Sequence, residues 1–211
     1  MKIILVFILT VTLIVLYRKW VRASRRRFLE RFELPVAVVE RARAKLPALT
    51  QAQERLVQQG LQQYFQICLE AKGKFVSMPS QAVDVLWHEF ILFTRQYEQF
   101  CKLAFGKYLH HTPAEAMPTK VSATEGIRRT WRLACKLEGI DPKHPQRLPL
   151  LFVLDAQLGI AGGFIYTLNC QDVATSSTGA FCASDIGSCG GDGGGGDGDG
   201  DGGGGCGGGG D

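Results

Sequence analysis

Ser80-Gln81-Ala82-Val83-Asp84-Val85-Leu86-Trp87-His88-Glu89-Phe90-Ile91-Leu92-Phe93-Thr94-Arg95-Gln96-Tyr97-Glu98-Gln99-Phe100-Cys101-Lys102-Leu103-Ala104-Phe105-Gly106 decides the architecture. Stepped at about 100° per residue, Val83, Leu86, Trp87, Phe90, Phe93, Thr94, Tyr97, Phe100, Cys101, Ala104 and Phe105 share one broad side. Asp84, His88, Arg95, Gln99 and Lys102 fall on the other. With Ser80 as an N-cap and Gly106 as a stop, the pattern predicts one helix over 80–105 with a buried side. Asp84 and His88 stand one turn apart, close enough to touch.

Working outward, Thr50 and Gln53 form a capping-box signature after Pro47, and Leu56, Val57, Leu61, Tyr64, Phe65, Cys68 and Leu69 recur at helical spacing until Gly73. Ser122 with Glu125 signals another helix, through Ile127, Trp131, Ala134 and Cys135 to Gly139, with a basic outer face. Pro142, Pro145 and Pro149 interrupt the chain beyond Gly139. Leu150–Leu158 reads equally as a short apolar helix or a buried strand, and Phe164–Cys170 alternates like a strand whose partner the sequence does not identify. The expectation is a mainly α domain over 46–170, a bundle of about three to four helices with at most a minor strand element.

The ends differ in kind. Ile3–Leu16 is an apolar run broken only by Thr10 and Thr12, whose hydroxyls can bond back to helix carbonyls. It is shorter than the roughly 20 residues a bilayer needs, so spanning calls on Lys2 and Arg18 to snorkel, while Tyr17 and Trp20 suit the interface. Residues 1–22 are therefore expected to be a transmembrane anchor, with lipid contact over 3–21. The rival is a cleaved secretory signal, since Val21-Arg22-Ala23 loosely imitates a cleavage site. Arg18, Lys19, Arg22, Arg25, Arg26 and Arg27 come after the run rather than before it, which argues against a signal. By the positive-inside rule these charges keep the bulk of the chain in the cytoplasm, as a single-pass protein of the cytoplasmic (inner) membrane. Residues 23–45 read as a basic membrane-proximal segment, each cation worth about 1 kcal/mol against anionic headgroups. No nucleic-acid partner is expected.

Net charge is +4, an average that hides a basic first half and an acidic end. Residues 171–211 are expected to be a disordered tail, because from Gly190 onward only Gly, Asp and Cys206 occur and nothing there can be buried. Asp197, Asp199 and Asp201 begin like a calcium loop, but Gly208 stands where the bidentate Glu belongs. Seven Cys without a CxxC pair read as reduced thiols, in keeping with a cytoplasmic domain.

The run Val83 to Tyr97, with Phe100-Cys101, Phe105-Gly106 and Leu109-His110-His111-Thr112-Pro113 after it, resembles the core signature of the glycine-rich domain-containing protein family. Its bacterial, membrane-anchored members are similar over about residues 45–170, and many end in a Gly-rich tail. Plant members carry a second His two places after the Trp-His pair, where this chain has Phe90. The resemblance implies a domain without an established enzymatic activity.

Two functions are compatible with these residues. The preferred one is a non-catalytic interaction or scaffolding module, presenting Asp84, His88 and Arg95 to a protein partner. The competing one is a metal-binding module or metal-dependent enzyme in which Asp84, His88 and one of the paired histidines His110 and His111, taken as His110, hold zinc or a similar divalent ion, the loop after Gly106 turning back toward the helix. Cys101 lies on the apolar side, where a thiol is inert packing, and no activated Ser or Cys turn is present, so no catalytic residue is assigned.

Overall fold

In the computed structural model, which describes residues 2–111, 120–168, 181–183 and 186, the described residues form seven α-helices and two short strands. These are α1 (Lys2–Arg31), α2 (Val36–Lys45), α3 (Gln51–Glu70), α4 (Gln81–Leu92), α5 (Thr94–Phe105), α6 (Lys120–Glu138), α7 (Leu150–Leu158), β1 (Tyr166–Thr167) and β2 (Phe181–Cys182). The mainly helical expectation holds. The helix count rises above the expected bundle because 80–105 divides in two, 23–45 contributes to two helices and Leu150–Leu158 is helical.

The capping box at Thr50 starts α3: its hydroxyl accepts from the Gln53 amide, while the Gln53 side chain accepts from the Thr50 amide at 2.9 Å. The helix packs against α1, α4, α6 and α7 and buries Val57, Leu61, Tyr64, Phe65 and Ile67. At Gly60 an added Cβ would lie 2.6 Å from Leu154 Cδ1 and 2.9 Å from Val83 Cγ2, so the absent side chain is what lets α7 and α4 approach so closely.

The expected single helix over 80–105 is two. At Phe93 the backbone leaves the helical region (ψ 61°), and α5 folds back against α4. Ten residues of straight helix would separate Trp87 from Tyr97 by about 15 Å along the axis. The bend instead lets Trp87 Nε1 donate to Tyr97 Oη at 3.1 Å, and Tyr97 Oη donate to the Leu109 carbonyl at 2.6 Å. No Pro or Gly marks the break, so periodicity could not show it.

α1 is one helix long and apolar enough to cross a membrane, and Ile3–Leu16 is exposed throughout. Thr10 and Thr12 hydroxyls donate to the Val6 and Ile8 carbonyls, each at 2.8 Å. Its last turns belong to the domain: Leu29 is buried, Phe28 and, just past the helix end, Phe32 pack at a tilt on Phe100, and Arg22 pairs with Glu70 at 2.9 Å while Arg26 holds the other Glu70 oxygen. Val38 and Ala42 of α2 are buried as well. Within residues 23–45, Leu29, Val38 and Ala42 are core and three of the arginines, Arg26, Arg41 and Arg43, have a carboxylate partner, so the basic segment is packed on the domain.

Downstream, Ser122 lies inside α6, which begins at Lys120, so it does not cap that helix. α7 buries Leu151, Phe152 and Leu154, with Trp131 of α6 edge-on to Phe152 at 5.0 Å. β1 finds its partner in β2, parallel, with Tyr166 opposite Phe181 and Thr167 opposite Cys182. Cys182 and Ala183 are buried, so ordered, packed residues occur within the stretch expected to be tail from 171. The Gly/Asp run and the calcium-like Asp residues lie outside the described residues. Cys182 is disulfide-bonded, which corrects the reading of every cysteine as reduced.

Glu89, fully buried, is the charge the helical wheel left unassigned. Arg41 Nε donates to its Oε2 at 2.7 Å and Lys45 Nζ lies 2.6 Å from its Oε1, tying α2 to α4. Lys45 and Arg41 together hold this carboxyl below its usual value. A carboxyl lowered in the folded state contributes stability fully above its unfolded value, near about pH 4.3, and loses it as pH falls through the folded value. Urea midpoints should therefore fall between about pH 5 and pH 3, and fall less in Glu89→Gln, which cannot titrate. Equal acid sensitivity in both proteins would refute this.

Candidate metal centre

Asp84 and His88 are placed by the start of α4. Ser80 Oγ accepts from the Val83 amide at 3.3 Å, and the Asp155 carboxylate accepts from Ser80 Oγ (2.7 Å) and from the amides of Gln81 (2.6 Å) and Ala82 (3.2 Å). Asp155 also accepts from the Phe164 amide at 2.9 Å. One buried carboxylate of α7 thus caps α4 and pins the chain leading to β1.

The third group arrives on the loop after α5. Gly106, with φ +74°, ends the helix in the left-handed conformation, and the bond from Tyr97 to the Leu109 carbonyl draws the chain back along α4. His111 then lies edge-on to the Trp87 ring at 4.7 Å, its Nε2 2.8 Å from Asp84 Oδ1 and its Nδ1 3.2 Å from His88 Nε2. His88 Nδ1 is 3.9 Å from Asp84 Oδ2. Since an ionised Asp84 only accepts, His111 Nε2–H donates to it; in neutral His111 the Nδ1 lone pair then accepts from His88 Nε2–H.

Asp84 and His88 meet as expected, but the histidine that joins them is His111, not His110. Of two adjacent side chains on the returning loop, the register set at Leu109 turns His111 onto α4. His110 is exposed and its ring packs 4.8 Å from Tyr108. Arg95 lies beyond the break at Phe93, on the exposed side of α5, so it is not part of one continuous polar face with Asp84 and His88.

One carboxylate oxygen and two imidazole nitrogens, one atom from each residue, lie within 4.8 Å of one another. Four donors at about 2.0–2.1 Å from a tetrahedral ion would sit about 3.4 Å apart. The contacts of 2.8, 3.2 and 3.9 Å use both nitrogens of each ring and both Asp84 oxygens, so an ion would take one atom from each residue and replace the hydrogen bonds of His111. Asp84 and His111 side chains are 20% and 13% exposed while His88 is 47% exposed, so the set is anchored on the inner side and open to solvent on the outer. The donors suit zinc or a similar borderline ion with a free coordination position.

The thiols do not compete. Burial pushes Cys68 and Cys135 each up to about 12 and raises Cys101, which keeps all three protonated and unreactive.

Comparison with protein families matches residues 24–186 to the UCP032817-like family. The chain belongs to the UCP032817-like family. This overturns the resemblance to glycine-rich domain-containing proteins, since the family that matches over 24–186, the stretch that carried the resemblance included, is a different one. The UCP032817-like match takes in the last eight residues of α1, each of the helices α2 to α7 and both strands, with Asp84, His88 and His111 inside. No curated protein and no solved structure matches the chain.

Proposed function

We propose that this is a single-pass membrane protein whose helical domain holds a divalent transition-metal ion, of the zinc class, through Asp84, His88 and His111. The observation that carries the reading is the convergence of three ligating side chains from two separate segments, with His111 steadied by the Trp87 ring. Retention of α1 as an anchor is supported by its continuity through Val21-Arg22-Ala23 and by the Arg22–Glu70 pair, which cleavage there would destroy. The basic residues after the apolar run favour a cytoplasmic domain. The Cys182 disulfide weighs the other way, because such bonds persist in oxidising compartments. Reporter fusions after residue 45 decide the side.

Elemental analysis of the full chain purified in mild detergent should find stoichiometric zinc. His111→Ala or Asp84→Ala should weaken zinc binding by more than about a hundredfold, the upper end for losing a mere orienting partner. His110→Ala should leave it unchanged, and circular dichroism checks that each variant is folded. Metal-free wild-type chain that takes up no added zinc, or equal loss in His110→Ala, would sink the reading.

A second reading is the non-catalytic interaction module, in which a protein partner covers the half-exposed His88 and the exposed Arg95. Partner capture that survives joint replacement of Asp84, His88 and Arg95 counts against it.

A further inference from the structure

Beside the histidines lies a cavity of about 460 Å³ that the metal reading does not use. Tyr64, Phe75, Trp87 and Phe105 supply aromatic wall, and His111 belongs to both cavity and cluster. Arg25, Lys72, Lys74 and Lys107 also line it, and no Asp or Glu does. The three lysines are exposed, which puts their ammonium groups at the rim. Among the described residues none of the four cations has an ion-pair partner, unlike the neighbouring Arg22 and Arg26.

The turn that ends α3 brings lysines to the rim. Lys72 adopts φ +53° just past the Ala71 C-cap, the left-handed conformation in which helices commonly end. Lys107 Nζ reaches to 3.4 Å from where a Cβ on Gly73 would stand, and the Arg25 guanidinium occupies the space a Cβ on Gly106 would need. Four like charges around one concavity repel each other and raise the local concentration of anions.

A shallower furrow lined by Tyr17, Arg18, Val21 and Arg22 shares Arg25, Leu69 and Lys72 with the cavity. It therefore leads from the cavity down α1 to the residues just past the apolar run. From Tyr17 to Arg25 the helix rises about 12 Å, roughly twice the depth of one headgroup layer, so a bound lipid is drawn part-way out of the leaflet along the furrow.

We propose that this cavity binds an anionic phospholipid, its phosphate held by Arg25, Lys72, Lys74 and Lys107 and the apolar base of its acyl chains against the aromatic wall. The cations match phosphate, the aromatics match the apolar part of an amphiphile, and the furrow points to the bilayer as the source. The proposal rests on α1 lying in the membrane, though not on the metal. Alkaline extraction of membranes reports the anchor alone, which keeps failure of that reading apart from failure of this one.

The test titrates the detergent-solubilised full chain with short-chain phosphatidylglycerol, short-chain phosphatidylcholine and inorganic phosphate. Phosphatidylglycerol should bind with saturation and the zwitterionic lipid at least about tenfold more weakly. Lys107→Ala and Lys74→Ala should each weaken phosphatidylglycerol about tenfold, and Arg27→Ala, an exposed cation of α1 outside the cavity, should change nothing. Equal binding of both lipids, equal weakening by Arg27→Ala, or inorganic phosphate binding as tightly as the lipid would each overturn the proposal.

Discussion

Asp155→Ala should lower the unfolding free energy by about 4 kcal/mol, read as a shift in the urea midpoint of the full chain in detergent. Its carboxylate accepts four hydrogen bonds in a nearly solvent-free position, from Ser80 Oγ and the amides of Gln81, Ala82 and Phe164. Each bond to a charged acceptor contributes about 1.5–3 kcal/mol, but the four share one group and do not add. Truncation also strands donors that no water replaces easily, which is why the loss exceeds that of an exposed cap. Asp155→Asn keeps the volume and some acceptor capacity, and should lose about half as much. Because Asp155 sets the start of α4, folded Asp155→Asn protein should also bind zinc more weakly than wild type. A midpoint unchanged in Asp155→Ala would show that the carboxylate does not hold α4 in place.

Phe100→Ala should be as damaging, at about 3–5 kcal/mol. The Phe100 ring touches those of Phe28 and Phe32 at the end of α1, Phe65 of α3, Phe90 of α4, and Tyr97 and Phe105 of its own helix, with centroids 4.4–6.3 Å apart. Removing it opens a cavity where four helices meet and takes away the aromatic contact that helps dock α1 on the domain. Amide exchange over residues 22–31 should rise in this variant well before the rest of the domain loosens. Phe100→Leu, which restores most of the volume, should recover the greater part of the stability. Exchange that rises uniformly across all helices would show that Phe100 fills space without joining α1 to α5.

The two predictions concern one mechanical unit. α1 enters the domain as a continuous helix, held by Phe28, Leu29 and two arginines on Glu70, so the domain is rigidly coupled to its apolar end. The cavity rim and the histidine cluster inherit a fixed height above that end. A flexible basic linker would have left both free to wander.

Local chemistry was legible in the residues alone. Helical spacing of apolar side chains, the Thr50 box, the Ser80 cap and the Gly106 stop are encoded within a few positions of one another, so they located α3, the start of α4 and the end of α5. The i, i+4 relation likewise paired Asp84 with His88. Features that depended on distant packing were not legible: the break at Phe93, where a bond from Trp87 to Tyr97 outweighs helix continuity; β1 pairing with residues beyond 170; and Glu89 and Asp155, charges buried because their partners lie 48 and about 74 residues away. The choice of His111 over His110 is of the same kind. Adjacent identical residues carry no sequence signal to separate them, and only the bond from Tyr97 to the Leu109 carbonyl sets which ring turns toward Asp84.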